Sequence, residues 1–327
     1  MVNAHAHAAM VGFRGMAEDL PLKVWLEKNI WPAEAKKVKP AFVYAQTKKA
    51  ILEMQKNGIR IFSDMYFFEE EVARAAEELK MRVVIGEGML DFLSPGAKNF
   101  EEAFKKTEEL LKKYQSSRFV SVAVAPHSIY AVSGEGLIKA KKLARKYLAP
   151  YHIHVAETKF EFDECRKKNG ATPVEYLDKL GVLDQKTVMA HCVWLTDKDI
   201  DIIAKRKAKV VHCPLSNLKL GSGIAPIAKL LQKGIVVALG TDGAASSNRL
   251  DIWEAGKFAA LLQKGSTNDP TNVSAKEAVR MMTIGGMEAL GVESFAGVSL
   301  AKWKERFQKE QDFTYLYSLN VNEINFQ

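Results

Sequence analysis

The chain reads as an α/β protein built on a single (β/α)₈ barrel of the TIM type, and three observations predict this. Its 327 residues, 47% of them hydrophobic, suffice for one barrel-sized core and are long for a single sandwich or bundle. Short β-branched or apolar runs alternate with amphipathic segments along the whole chain. Counting the stub from Val2 to His5 as a first strand, about eight such β-α units follow one another, the number a barrel of this kind requires.

The strands expected after the stub are 60–64, 82–86, 119–125, 151–155, 187–191, 209–213 and 236–240, short β-branched or apolar runs. Helical patterns lie between them, for example 42–57, 69–80, 100–114 and 225–233. Stop signals stand at Asn57-Gly58 and Lys233-Gly234. A doubly wound open sheet is the competing architecture, but it announces itself by a glycine-rich turn after its first strand. That turn region holds histidines instead. No internal repeat and no low-complexity tract is apparent.

After Gly297 the character changes. Residues 301–311 are charged, and Phe313 to Tyr317 reads as one more strand without a partner in a closed barrel. The expected organisation is therefore a barrel over 1–297 and a separate tail over 298–327, and the chain reads as the middle of something longer.

Composition narrows the function. The formal net charge is +8, but the lysines cluster in helical stretches, as at Lys105, Lys106, Lys112 and Lys113, or Lys139, Lys141, Lys142 and Lys146. That pattern describes solvated outer helix faces, and no nucleic-acid-binding signature accompanies it. No run of about 18 apolar residues is present, so no membrane span is expected. The first residues lack the basic-then-apolar order of a signal peptide. Cys165, Cys192 and Cys213 are too few and too scattered for a disulfide framework, which fits a reducing cytoplasm.

The histidines carry the chemistry. Six of the seven fall at or just after the end of an expected strand: His5, His7, His127, His154, His191 and His212. Asp242 follows the last strand in the same way. In a barrel these ends converge on one mouth, where active sites sit. His5 and His7 are two apart, so on an extended strand both imidazoles point one way and reach one metal. His154 adds a third neutral nitrogen and Asp242 an anionic oxygen. This donor mix suits zinc with an open position for water, and iron or manganese accept the same ligand types. His152, two residues before His154, is expected deeper in the barrel as a hydrogen-bonded core residue. Cys192 and Cys213 each follow a site histidine and are expected to point away from the mouth and pack.

These residues lie within longer matching stretches. They include Asn3-Ala-His-Ala-His-Ala-Ala-Met10, Arg14-Gly-Met-Ala-Glu-Asp-Leu-Pro21, Trp31-Pro-Ala-Glu34, Asp64-Met-Tyr66 and Ala125-Pro-His-Ser128. Further along come His154-Val-Ala-Glu-Thr158, Ala190-His-Cys-Val193, the stretch from His212 to Gly221, and Leu239 to Ser246. Through them the sequence resembles the amidohydrolase superfamily from Asn3 to about Gly291. Within it the resemblance is to the 5-methylthioadenosine/S-adenosylhomocysteine deaminases, which sit near the chlorotriazine hydrolases.

The resemblance implies a metal-dependent hydrolytic deaminase acting on a 6-aminopurine nucleoside: 5′-methylthioadenosine, adenosine or S-adenosylhomocysteine. It implies His5, His7, His154 and Asp242 as metal ligands. Glu157 would be the acid at the purine ring nitrogen, and His191 the residue that orients water. Trp25, Glu34 and His127 would hold the nucleoside, Glu34 through ribose hydroxyls. Glu157 is expected one helical turn from His154; its alternative role is a carboxylate stabilised at a helix N-terminus.

Two departures from the family pattern stand out. The family's β-sandwich, built from both chain ends, is missing or reduced to a C-terminal remnant at Asp312 to Phe326. Where relatives place arginines that hold an amino-acid carboxylate, this chain has Glu87 after strand three and Lys98 or Asn99 nearby, which favours methylthioadenosine or adenosine. Other hydrolases on the same scaffold (aminofutalosine, guanine or triazine-type) and a non-catalytic metal-binding remnant are the alternatives. A small-molecule partner is expected rather than nucleic acid or membrane, and a homo-oligomer is compatible with the sequence. The H-x-E with P-C-x-x-C pattern of the other zinc deaminases is absent: Cys213-Pro214 has the wrong order, and no second cysteine follows.

Overall fold

A computed structural model describes residues 1–295 and 297–318. Eight parallel strands form the barrel: β1 (Val2–His7), β2 (Ile61–Tyr66), β3 (Arg82–Met89) and β4 (Val120–Val122, resumed at Ala125–Pro126), then β5 (Tyr151–Val155), β6 (Thr187–His191), β7 (Lys209–His212) and β8 (Val237–Leu239, resumed at Asp242–Gly243). Neighbours pair in chain order. Bridges Val124 to Tyr151 and Ser128 to His154 join β4 to β5. Ala6 pairs with Asp242 and His7 with Gly243, which closes the ring. Closure leaves no free sheet edge and sets the first and last strands side by side, so Asp242 stands next to His5 and His7.

The barrel interior below the mouth is filled by small and branched side chains, among them Val2, Ala4, Ile61, Val84, Ala123, Val188, Val211 and Ala238. Gly240 is required by close approach: a Cβ there would lie 2.8 Å from the His5 carbonyl oxygen and 3.0 Å from Cys213 Sγ. The outer helices bury one face against the strands, and their ends are capped. Asn99, Ser133, Thr158 and Thr196 each accept an amide hydrogen of the first turn, worth about 1 kcal/mol per cap. No described helix is long and apolar enough to cross a membrane.

Between β1 and β2 the chain makes a continuous helical run from Leu22 to Lys37, with a π-helical stretch at Trp25–Ile30. This run lies over the barrel mouth. Strand-like periodicity is absent there, and its helical character did not stand out in the sequence.

The tail departs from expectation. Phe313 to Tyr317 is not a strand. Asp312 accepts from the backbone N–H and hydroxyl of Thr314, which starts a turn, and Tyr315–Ser318 is helical. Phe313 and Leu316, three apart, are both buried, and Tyr315 stacks on Trp253 at 5.6 Å between ring centroids. Helical spacing buries two apolar residues that strand alternation would have split. The described part of the expected sandwich remnant is therefore helical; its part at 319–326 lies outside the described residues. Residues 297 and 298 fall within a short hairpin that pairs Ser294–Phe295 with Val298–Ser299.

Candidate active site

Three strand ends leave the β conformation abruptly. Ala156, His191 and Asp242 have φ of 51°, 72° and 61°. Such left-handed backbone at non-glycine residues costs on the order of 1–3 kcal/mol each, and it collects at functional sites. Here it breaks the alternation of each strand just where a side chain must face the mouth.

The imidazoles are aimed through their other nitrogens. His154 Nδ1 donates to the His127 carbonyl oxygen at 2.8 Å, and His7 Nδ1 donates to the Met65 carbonyl oxygen. His5 Nδ1 pairs with His152 Nε2 at 3.1 Å. In each ring Nε2 is left for the centre. His7 Nε2 lies 3.0 Å and His5 Nε2 3.6 Å from Asp242 Oδ1. Asp242 Oδ2 accepts from Ser216 Oγ at 2.5 Å and Ser246 Oγ at 2.8 Å, so Oδ1 alone faces the histidines. This second shell is what orients ligands in metal sites.

The group fits a divalent ion. Ligand atoms of His5, His7 and His154 lie within 4.8 Å of one another, and so do those of His5, His191 and Asp242. His5 Nε2 is fully buried without a hydrogen-bond partner, an orphan that a metal would satisfy. Burial lowers the pKa of His5 and His154 well below the ordinary range, keeping them neutral, the form that ligates. Burial also opposes a proton on His7, but the hydrogen bond and charge of Asp242 outweigh it and raise His7 to about 9. A cation between His7 and Asp242 would take that proton's place. Three imidazoles with one carboxylate is a zinc-type set.

A cavity rises from this centre. His7, His127, His154, Glu157, His191 and Asp242 line its floor, and Trp25, Trp31 and Glu34 come from the helical run above. His5 lies behind them, fully buried. Glu157 Oε2 is 3.9 Å from His191 Nε2, and burial raises Glu157 above the usual carboxylate range. His191 Nδ1 donates to Asn217 Oδ1 at 2.8 Å, which leaves its Nε2 toward Glu157. Glu34 accepts from Tyr66 Oη at 2.6 Å, and burial pushes its carboxyl up to about 7.

Several expectations need correction. Glu157 is not a helical turn from His154: β5 ends at Val155, Ala156 turns left-handed, and the helix begins at Lys159. The helix-terminus carboxylate is Glu161, which accepts from the amides of Ala156 and Glu157 at 2.9 and 2.8 Å. His212 does not line the cavity, and both its ring nitrogens are buried without partners among the described residues. The inward position belongs to Cys213, which packs inside the barrel with Val211. Residues two apart share a face, so His212 takes the other one. Cys213 is thus a packing residue, but under the site rather than away from it.

His152 holds His5 and lies 3.4 Å from Ser63 Oγ. Glu87 lies inside β3 and accepts from the amides of Phe68 and Glu69 at 3.3 and 3.0 Å. Asn99 caps a helix, and neither it nor Lys98 reaches the cavity. Sequence reading gave no role to Ser216, Asn217, Ser246 or Tyr66, although all four lie inside the matching stretches; only their contacts assign one.

The amidohydrolase family model matches residues 1–299. A 5-methylthioadenosine/S-adenosylhomocysteine deaminase of Thermodesulfovibrio yellowstonii is 50% identical over 296 residues, covering 90% of this chain and 67% of that protein. A 5′-deoxyadenosine deaminase of Methanothermobacter thermautotrophicus is 45% identical, covering 90% and 69%. The chain thus spans about two thirds of the length of these relatives. Among solved structures, an adenosine deaminase from Xanthomonas campestris with bound zinc superposes with a TM-score of 0.93 at 34% identity, covering 99% of this chain and 76% of that one. With the family match running through the whole barrel and half of 296 aligned residues shared with one relative, this chain belongs to the amidohydrolase family.

Proposed function

We propose that the chain hydrolyses the 6-amino group of an adenine-type nucleoside, releasing ammonia and leaving the inosine analogue. The carrying observation is the pair Glu157 and His191, 3.9 Å apart, set beside three aimed imidazoles and a carboxylate on the floor of the cavity. The deaminase names of the relatives support the same reading. His5, His7, His154 and Asp242 would hold one divalent ion, and zinc is the ion this set names.

A divalent ion held there supplies Lewis acidity, which lets water lose a proton near neutral pH. His191, fixed by Asn217, presents Nε2 to orient that water toward C6 of the purine. Addition at C6 drives electron density onto N1. Glu157, whose raised pKa keeps a proton available, delivers it to N1. The proton that water gives up would be taken up by His191 Nε2 or the Asp242 carboxylate and passed to the amine, which leaves as ammonia. Glu34, on the helical run opposite, accepts hydrogen bonds from ribose hydroxyls, while Trp25 and His127 flank the sugar and base. The three cysteines are free and buried, in keeping with a reducing compartment.

The test is elemental analysis of the purified protein followed by ammonia release from methylthioadenosine, 5′-deoxyadenosine and adenosine. One ion per chain with release from at least one nucleoside is expected. One ion per chain with no release from any aminopurine contradicts the reading.

A further inference from the structure

The imidazoles of the floor are not all held by the same kind of partner. His7 and His154 give their Nδ1 hydrogens to the carbonyl oxygens of Met65 and His127. A carbonyl only accepts, so each ring is fixed with its hydrogen on Nδ1 and its lone pair on Nε2, the arrangement that ligates. His5 differs. Its Nδ1 meets a second imidazole, His152 Nε2, at 3.1 Å, with the ring centroids 5.0 Å apart.

That contact has two forms. His5 and His152 are 0% and 1% exposed, and such burial disfavours an imidazolium. A neutral ring has one donor and one acceptor nitrogen. If His152 Nε2 donates, His5 must carry its own hydrogen on Nε2, which blocks the lone pair. If His152 Nε2 accepts, His5 has its hydrogen on Nδ1, and its Nε2 is free for a cation. The accepting form puts the His152 hydrogen on Nδ1, where it needs an acceptor of its own. Ser63 Oγ lies there, 3.4 Å away, the hydrogen-bond partner of that nitrogen among the described residues. Ser63 is buried on β2 and His152 on β5, so the contact spans the barrel interior.

Given the metal-centre reading above, on which this inference rests, we propose that His152 is a positioning residue for the metal ligand His5. It accepts the Nδ1 hydrogen of His5, and Ser63, by accepting from His152 Nδ1, selects the form of the pair that ligates. Of the three imidazoles, His5 is therefore the one whose aim depends on a side chain rather than on backbone. A substitution can remove that side chain, and metal affinity is the property it governs.

The experiment measures zinc dissociation constants on the intact chain, stripped of metal and reloaded in competition with a chromophoric chelator. His152→Leu should weaken zinc binding by about 10- to 100-fold. His152→Gln, whose amide oxygen stands where Nε2 stood, should restore most of the affinity. Ser63→Ala should fall between the parent and His152→Leu, because it leaves the His152 Nδ1 hydrogen buried without an acceptor. Nitrogen NMR of the histidine rings in the zinc-loaded parent needs no variant: His152 is expected to carry a hydrogen on Nδ1 and none on Nε2. Zinc held as tightly by folded His152→Leu as by the parent overturns the inference, and so does a hydrogen on His152 Nε2 in the loaded parent. Either result leaves the metal reading standing. A parent chain that binds no zinc overturns the metal reading and this inference with it, so the two failures are distinguishable.

Discussion

The floor and the roof of the cavity are built on different principles. On the floor, the four groups proposed to hold a cation are each held by a partner on another element: His7 by the Met65 carbonyl, His154 by the His127 carbonyl, His5 by His152, and Asp242 by Ser216 and Ser246. These groups stand at the ends of closed, parallel strands. The roof is one helical run, Leu22 to Lys37, with a π-helical middle, a feature frequent at functional sites. It contributes mainly apolar side chains, and only Glu34 is pinned, by Tyr66. Reaction geometry is thus over-determined, while substrate fit rests on packing that a few substitutions can change. That is how one scaffold serves many substrates.

The comparison breaks most sharply at Asp242. Asp242→Asn should lose both bound metal and turnover, because Oδ1 is the proposed anionic donor; full activity would remove it from that role. Glu157→Gln should retain the metal and lose about 10²- to 10⁴-fold in kcat, the usual worth of positioned proton transfer; a normal kcat would contradict the acid role. Asn217→Ala frees the His191 ring and should cost about 10- to 100-fold, as loss of an orienting partner does. It should leave KM nearly unchanged, and a KM effect alone would place Asn217 with the roof instead.

The smallest effect belongs to Glu34. Burial raises its carboxyl to about 7, so the ionised form is gained as pH rises through that value. KM for a nucleoside should therefore fall severalfold between about pH 6 and about pH 8, and Glu34→Gln should raise KM and flatten the profile. A pH-independent KM in the parent enzyme would separate Glu34 from the ribose.

Much of the floor is legible in the sequence because strand period and strand end are both readable: His5-x-His7 needs only alternation, and Asp242 follows a short apolar run. Its failures have one cause. His212 and Cys213 were assigned to the wrong faces because position near a strand end does not fix which neighbour turns inward. Glu157 was placed on a helix because nothing local in His154-Val-Ala-Glu157 signals the left-handed Ala156. Orienting partners such as Asn217 and Ser246 are contacts between distant segments and leave no local pattern. The tail was misread because Phe313 to Tyr317 is too short for periodicity to separate strand from helix; burial of Phe313 and Leu316 decides it. The roof was invisible as a unit, since its helix is interrupted by a π stretch.

The central claim is that four side chains from β1, β5 and the end of β8 share one cation. Anomalous diffraction from crystals of the purified chain, recorded above and below the zinc absorption edge, tests it most directly. A single zinc peak is expected about 2.0–2.2 Å from His5 Nε2, His7 Nε2, His154 Nε2 and Asp242 Oδ1. A metal-replete crystal whose only peak lies away from those four atoms would contradict it.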